Sequence, residues 1–281
     1  MTGMCEPCRQ MDVFELGQSI EAITLDFGNT LVPFPSQSMA GVLSQTAERA
    51  AAAWGFRSDE FVRVWDEERL RQFAEEVPQG READMDVRAE RVLARLRGCP
   101  APGPEDHWDD TEAARRSTPG EVAAILDDYA SAFVRLTPIP PEIGPLLELL
   151  ASRYPVAILS NWPIAIAVER YLEAAGWSPH LSAVVISQRV GAIKPWPAIF
   201  EATARALAVP SGPRLMHVGD DLGADVAGAH GVGWRAAWVR VKPEDSPLPV
   251  ARPSGDETPD LAIDRLTDLA RALGLNRPRV P

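Results

Sequence analysis

The spacing of apolar and polar positions divides the chain into two unlike regions. Residues 22–26 are a short apolar and β-branched run that predicts a strand, and Asp26, Gly28 and Asn29 follow it as turn formers. After Pro33 and Pro35 the period becomes helical: Ala47, Ala50, Ala51 and Trp54 share one face, then Phe61, Val64, Trp65 and Leu70, then Val87, Val92, Leu93 and Leu96. Residues 38–96 therefore predict a block of helices with no strand between them. Residues 98–120 carry Pro100, Pro102, Pro104 and Pro119 with several acids and little apolar content, which predicts an exposed excursion. One more helix is expected over 121–136.

Pro138, Pro140 and Pro141 mark a boundary, beyond which helix and strand patterns alternate. Helices are expected at 143–152, 164–175, 197–207, 225–230 and 261–273, and strands at 156–160, 183–187, 215–219 and 236–241. Such alternation builds βαβ units with right-handed crossovers, hence a mostly parallel sheet with helices on both faces. The expected fold class is α/β, with an all-helical domain inserted directly after the first strand. Residues 1–18 form a weakly structured lead-in, 19–35 and 137–281 the core, and 36–136 the insertion, set over the strand ends where Asp26 lies.

Composition narrows the function classes. With 281 residues and 46% apolar content the chain can bury a real core. A net charge of −12 argues against a nucleic-acid or anionic-membrane partner, and means that an anionic substrate needs a local cluster or a metal to draw it in. Cys5, Cys8 and Cys99 are too few and too uneven for a disulfide framework, and the lone Cys5–Cys8 pair has no second pair to complete a zinc site. With no signal-like start and no run long enough to span a bilayer, a cytoplasmic location is expected.

Four predicted strand ends bring polar groups to one edge: Asp26; Ser160 with Asn161; Lys194; and Asp220, Asp221 and Asp225. Singly, each is an ordinary turn or cap. Together they converge, and three clustered carboxylates repel one another unless a cation or a lysine neutralises them.

In order and spacing, Leu25-Asp26-Phe27-Gly28-Asn29-Thr30-Leu31, Leu159-Ser160-Asn161, Gly191-Ala192-Ile193-Lys194-Pro195 and Val218-Gly219-Asp220-Asp221 with Asp225 resemble the four motifs of the haloacid dehalogenase superfamily, and specifically its phosphatase-like branch with a C1-type helical cap. The resemblance implies a Rossmann-like core and hydrolysis of a small, anionic, phosphorylated substrate with Mg2+. It further implies Asp26 as nucleophile, Ser160 as a phosphoryl-oxygen ligand and Lys194 as the neutralising cation. The metal set would be Asp26, the Gly28 carbonyl, Asp220, and Asp221 or Asp225 in support. Asn29, Thr30, Asn161 and Trp162 would meet the substrate, Trp162 as an aromatic wall at the mouth.

One departure matters. The phosphatases that this chain resembles place a second Asp where Gly28 stands, as the acid that protonates the leaving group. Such a group is worth roughly 10²- to 10⁴-fold in rate, or about 3 to 5 kcal/mol. Three consequences compete: substrates whose leaving group needs no proton, a substitute acid such as Asn29 through water, Asp84, Asp86 or Glu90, or a different activity. The alternatives are a non-catalytic ligand-binding protein and a 2-haloacid dehalogenase-like enzyme, the latter opposed by the acidic cluster. Arg63, Arg69, Arg71 and Arg88 are expected to pair with acids on helix faces, and His217 to be packed or hydrogen-bonded. Trp54, Trp65, Trp196 and Trp234 are expected in the core or at the cap interface, and the chain as a monomer or homodimer.

Overall fold

The computed structural model describes residues 13–103, 106–240, 242–251, 255 and 257–275; Cys5, Cys8 and Val241 lie outside the described residues. A short helix α1 (Val13–Ser19) leads into strand β1 (Ala22–Leu25). Helices α2 (Ser36–Trp54), α3 (Ser58–Glu75), α4 (Met85–Leu96), α5 (Asp110–Ala114) and α6 (Pro119–Leu136) follow. The chain then alternates through α7 (Ile143–Ala151), β2 (Val156–Ser160), α8 (Ala165–Ala174), β3 (Ala183–Ile186), α9 (Ser187–Val190), α10 (Pro197–Leu207) and β4 (Leu215–Gly219). A π-helical turn (Leu222–Ala227), α11 (Gly228–Gly231), β5 (Arg235–Val239), β6 (Leu261–Ile263) and α12 (Asp268–Ala272) complete it.

The six strands form one parallel sheet in the order β3-β2-β1-β4-β5-β6. From β1 the chain moves outward through β2 and β3, then returns to the other side of β1 for β4 and moves outward again. Adjacent connections therefore diverge between β1 and β4, which opens a crevice at their carboxyl ends. Strand periodicity sends alternate residues to opposite faces. Ile23, Leu25, Ile158, Met216 and Val218 join one apolar cluster, and Ala22, Ala157, Leu159 and Leu215 the other. Thr24 and His217 are register partners and both fully buried.

Helices α2 to α6 enter between β1 and β2, as the periodicity predicts. Local signals fix their ends: Gly55 adopts φ 75° to close α2, Asp84 caps α4, and Thr118 with Glu121 forms a capping box on α6. An aromatic cluster joins this block to the sheet. Phe27 and Phe34 from the loop after β1, Phe133 from α6, Trp162 from the loop after β2 and Tyr171 from α8 lie with ring centres 5.0–6.3 Å apart. Such edge and offset contacts add to the apolar area that the rings bury. A polar seam lies beside it, where Ser187 Oγ donates to Glu82 and accepts from the Trp162 backbone N–H at 2.8 Å. Gln188 Nε2 donates to Asp84 at 3.0 Å and to Asp86 at 2.6 Å.

Four expectations change. Residues 261–273 are not one helix: 261–263 pair with β5 as an edge strand and only 268–272 are helical. The proposed helix at 225–230 is a π-helical turn and a separate short helix, because the Asp221 carboxylate accepts from Gly223 and Ala224 and resets the start. The 98–120 excursion holds α5, pinned by Arg91 to Asp110 at 2.8 Å and by Trp108 Nε1 to Glu68 at 2.8 Å. Part of the weakly structured lead-in is also helical, as α1. Among the described residues no helix is long and apolar enough to cross a membrane.

Burial pushes the Glu82 carboxyl above its usual range, with Ser187 and the Ala83 N–H working against the shift. The folded state thus holds a proton more readily than the unfolded one, so this group's contribution to stability is lost as pH rises from about 4.5 through the raised value. Glu82→Gln should remove that loss: urea unfolding should show the variant gaining on the wild type as pH rises from 4.5 to 8. Parallel pH profiles for the two proteins would contradict it.

Candidate active site

Asp26 directly follows β1 and Ser160 ends the neighbouring strand β2, and Ser160 Oγ donates to Asp26 Oδ1 at 2.9 Å. Lys194 arrives from the loop after α9 and places Nζ 2.7 Å from Asp26 Oδ1, 2.7 Å from Asp225 Oδ1 and 3.0 Å from the Leu159 carbonyl. The ammonium donates to Asp26 and to the Leu159 carbonyl, and its contact with Asp225 is a close ion pair. The Asn161 amide clamps the lysine backbone: Oδ1 accepts from Lys194 N at 2.7 Å and Nδ2 donates to its carbonyl at 3.0 Å.

Asp225 is held from every side. His217 Nε2 lies 3.1 Å from Oδ1, and the Asp221 backbone N–H donates to Oδ2 at 2.9 Å. The other imidazole nitrogen, Nδ1, faces the Thr24 hydroxyl at 2.8 Å. Burial, followed by the Lys194 charge, lowers the His217 pKa, so the ring is neutral with its proton assigned to Nε2. Burial works to raise Asp225, but Lys194 and His217 outweigh it and hold this carboxyl well below the usual range. For Lys194, burial opposes the charge, yet Asp225 and Asp26 overcome it and hold the ammonium far above the usual lysine range.

Asp26 and Asp220 are less well compensated. Burial raises Asp26, Lys194 counters that, and the Asp225 charge adds to the rise. Burial and the charges of Asp225 and Asp26 push Asp220 up to about 7, against the pull of Lys242, whose Nζ lies 3.2 Å from Oδ2. Oxygens of Asp26, Asp220 and Asp225 lie within 4.8 Å of one another. An all-oxygen, net-negative set of this kind fits a hard divalent cation such as Mg2+. Among the described residues Asp26 Oδ2 accepts no hydrogen bond, and a cavity of about 100 Å³ beside it is lined by Ser160, Lys194, Asp220, Asp225 and Lys242.

Most of the residues read from the sequence meet here, with exceptions. Asp221 stands apart from the three-carboxylate group, because its oxygens accept from the backbone N–H of Gly223, Ala224 and Ala251. Thr30 Oγ1 faces Asp220 Oδ1 at 3.4 Å and does not line the cavity. Asn29 lines the cavity, but it sits at φ 57°, a left-handed conformation that Asn tolerates, and its amide is taken by the Phe34 N–H and Ser246. Trp162 lines the cavity, and at only 4% exposed it also belongs to the aromatic cluster. Of the candidate substitute acids, Asp84, Asp86 and Glu90 do not line the cavity. Arg63, Arg69 and Arg71 pair with acids as expected, whereas Arg88 is buried against Gln72, Trp65 and the Ala83 carbonyl. Lys242, Leu248 and the Thr24–His217 pair were not anticipated as parts of the site; a period-2 reading of β4 places His217 on the face opposite Met216 and Val218, the signal that pointed to it.

The chain also matches a family model described as haloacid dehalogenase-like hydrolase, over residues 20–233. It belongs to that hydrolase family. A ribulose-1,5-bisphosphate 5-phosphatase of Halopiger xanaduensis is 29% identical over 254 residues, 88% of this chain and 97% of that protein. A glyceraldehyde 3-phosphate phosphatase of Methanopyrus kandleri is 27% identical over 260 residues, 90% and 98% of the two chains. Among solved structures, a 2-haloacid dehalogenase from Pseudomonas syringae pv. Tomato DC3000 superposes with a TM-score of 0.63 at 22% identity, over 91% of this chain and 98% of that one, a likeness of fold. The family's hydrolase fold thus carries, in this member, the lysine-centred carboxylate group described above.

Gly219 is where that group is most sensitive to packing. A Cβ there would lie 2.0 Å from Asp225 Oδ2 and 2.7 Å from Asp225 Cβ, and Asp225 cannot withdraw without abandoning Lys194 and His217. Gly219→Ala should therefore cost about 3–5 kcal/mol, as breaking a buried pair does. Gly231→Ala, with nothing within 4 Å, should cost far less. Urea unfolding of both variants checks this, and equal losses would count against it.

Proposed function

We propose that this hydrolase is a phosphatase of small phosphorylated molecules, with Asp26 as nucleophile and Mg2+ as cofactor. The observation that carries the reading is the state of Asp26: Oδ1 is fixed by Lys194 and Ser160, Oδ2 accepts no hydrogen bond among the described residues, and Asp26 lines a small cavity of carboxylates and ammonium groups. A carboxylate so oriented is a positioned nucleophile. The two phosphatase relatives, each aligned over nearly its whole length, support the same substrate class.

In this reading Asp26 Oδ2 forms a bond to phosphorus as the bond from phosphorus to the leaving oxygen breaks, and the electron pair departs on that oxygen. Water then attacks the phosphorus of the aspartyl phosphate. The Asp26 carboxylate is released, and both water protons leave with the phosphate. Lys194 stays in place through both steps, neutralising Asp26 and the transferring group, which is the main demand of phosphoryl transfer. Ser160 orients Asp26 and offers its hydroxyl to a phosphoryl oxygen. His217 holds Asp225, and Asp225 holds Lys194. Asp26, Asp220 and Asp225, with the Gly28 carbonyl, would hold Mg2+, which supplies charge neutralisation to an otherwise acidic site. That net acidity is also what disfavours the dehalogenase reading, since a carboxylate-bearing substrate would be repelled.

The test is phosphate release from acetyl phosphate, 4-nitrophenyl phosphate and ribose 5-phosphate, with Mg2+ and with EDTA. Release from at least one substrate should depend on Mg2+ and should fall by roughly 10³-fold or more in Asp26→Asn, as removal of a nucleophile requires. Equal turnover by Asp26→Asn, or no release from any of the three, would overturn the proposal.

A further inference from the structure

The cavity beside Asp26 has two kinds of wall. All its titratable side chains, Asp26, Lys194, Asp220, Asp221, Asp225 and Lys242, belong to the carboxylate and lysine floor or its immediate edge. Beside them lie the hydroxyl of Ser160 and the amides of Asn29 and Asn161, and the rest of the lining, with Gly28, Trp162, Leu248, Pro249 and Val250, carries no carboxyl, ammonium or imidazole. Val250 is 62% exposed, an apolar residue left at the rim. A phosphoryl group belongs on the charged floor, so the organic part of a substrate lies against the apolar side.

Segment 242–251, between β5 and β6, builds that side and is tied down along its length. Lys242 Nζ reaches Asp220 Oδ2 at 3.2 Å, and Asp245 accepts from the Ser36 N–H at 3.3 Å and from its hydroxyl. Ser246 Oγ lies 2.9 Å from Asn29 Nδ2 and 3.2 Å from Oδ1, and the Ala251 N–H donates to Asp221 Oδ2 at 2.7 Å. These ties fix Leu248 over Gly28. A Cβ built on Gly28 would lie 2.7 Å from Leu248 Cδ1 and 3.1 Å from Trp162 Cζ3. A side chain at position 28 would therefore have to displace the Leu248 methyl and press on the Trp162 ring.

We propose that Leu248, seated against Gly28 and Trp162, is a specificity determinant that restricts this site to phosphates whose leaving group departs as a weakly basic anion: aryl, enol or acyl phosphates. The inference rests on the phosphatase reading above. It goes further by naming the substrate class and the residue that sets it. As the bond to phosphorus breaks, the electron pair stays on the leaving oxygen as a phenolate, enolate or carboxylate, and no proton is drawn from the protein. An alkoxide from a sugar phosphate needs a proton at that moment, and the Leu248 side has none to give.

The experiment combines a leaving-group series with a double-mutant cycle. Wild-type kcat/KM with Mg2+ should fall steeply as the leaving-group pKa rises through a set of substituted aryl phosphates. Ribose 5-phosphate should lie roughly 10²-fold or more below acetyl phosphate, the scale of a missing general acid. Gly28→Asp/Leu248→Ala should flatten the series and raise ribose 5-phosphate turnover by roughly 10²-fold or more, while Gly28→Asp alone should do neither. Thermal denaturation reads the packing without activity: Gly28→Ala should lower Tm with Leu248 present and lower it less beside Leu248→Ala. A flat wild-type series with Mg2+-dependent release, or no coupling in Tm, would overturn this proposal and leave the phosphatase reading standing. No release from any substrate would overturn the phosphatase reading itself.

Discussion

One ammonium group sits between two buried carboxylates, and the arrangement of the sheet ends follows from it. Lys194 Nζ is within 2.7 Å of both Asp26 and Asp225, and the lysine is only 3% exposed. Burying either charge alone would be strongly unfavourable, and a buried pair is tolerated when its remaining hydrogen-bonding capacity is met. Here the Leu159 carbonyl also accepts from the lysine, Ser160 completes Asp26, and His217 and the Asp221 N–H complete Asp225. Those partners come from β1, β2, β4 and the π-helical turn, so the electrostatics of the site require the strand order β2-β1-β4 at the centre of the sheet. The close approach at Gly219 belongs to the same constraint, because only the absence of a side chain lets Asp225 come back over the end of β4.

Much of this was legible in the sequence. Strand ends that each carry a polar residue are visible as short apolar runs followed by Asp, Ser-Asn or Asp-Asp, and the alternation after residue 138 implies that they share an edge. What the pattern cannot convey is how a carboxylate is used. Asp220 and Asp221 are adjacent and chemically identical, yet one faces Lys242 and Thr30 while the other caps a helical turn and holds Ala251. Nor does β6 announce itself, since a three-residue edge strand followed by Leu266, Leu269 and Leu273 reads as one helical stripe.

Segment 242–251 was illegible for a different reason. It has no period, and its Pro243, Pro247 and Pro249 mark it only as a loop. Its importance comes from contacts distant in the chain: Ser246 with Asn29, Asp245 with Ser36, Leu248 with Gly28. Loops positioned by a rigid sheet commonly carry function, but which of their residues do so is a tertiary fact.

Gly28 takes on a different meaning once those contacts are known. From the sequence, a glycine where related phosphatases place an acid leaves three consequences open: a leaving group that needs no proton, a substitute acid, or a different activity. In the folded chain the same glycine lies under Leu248 and Trp162, whose side-chain ends would have to shift to admit a Cβ. A site that had merely decayed would leave a void or water there, because nothing would select a replacement of matching shape. Here Leu248 lies on a segment tied to Asp220 through Lys242 and to Asp221 through Ala251, beside an intact Asp26, Lys194 and Asp225 group. In the proposed reading, apolar volume beside Gly28 together with an intact Asp26, Lys194 and Asp225 group favours a changed leaving-group preference over a loss of catalysis.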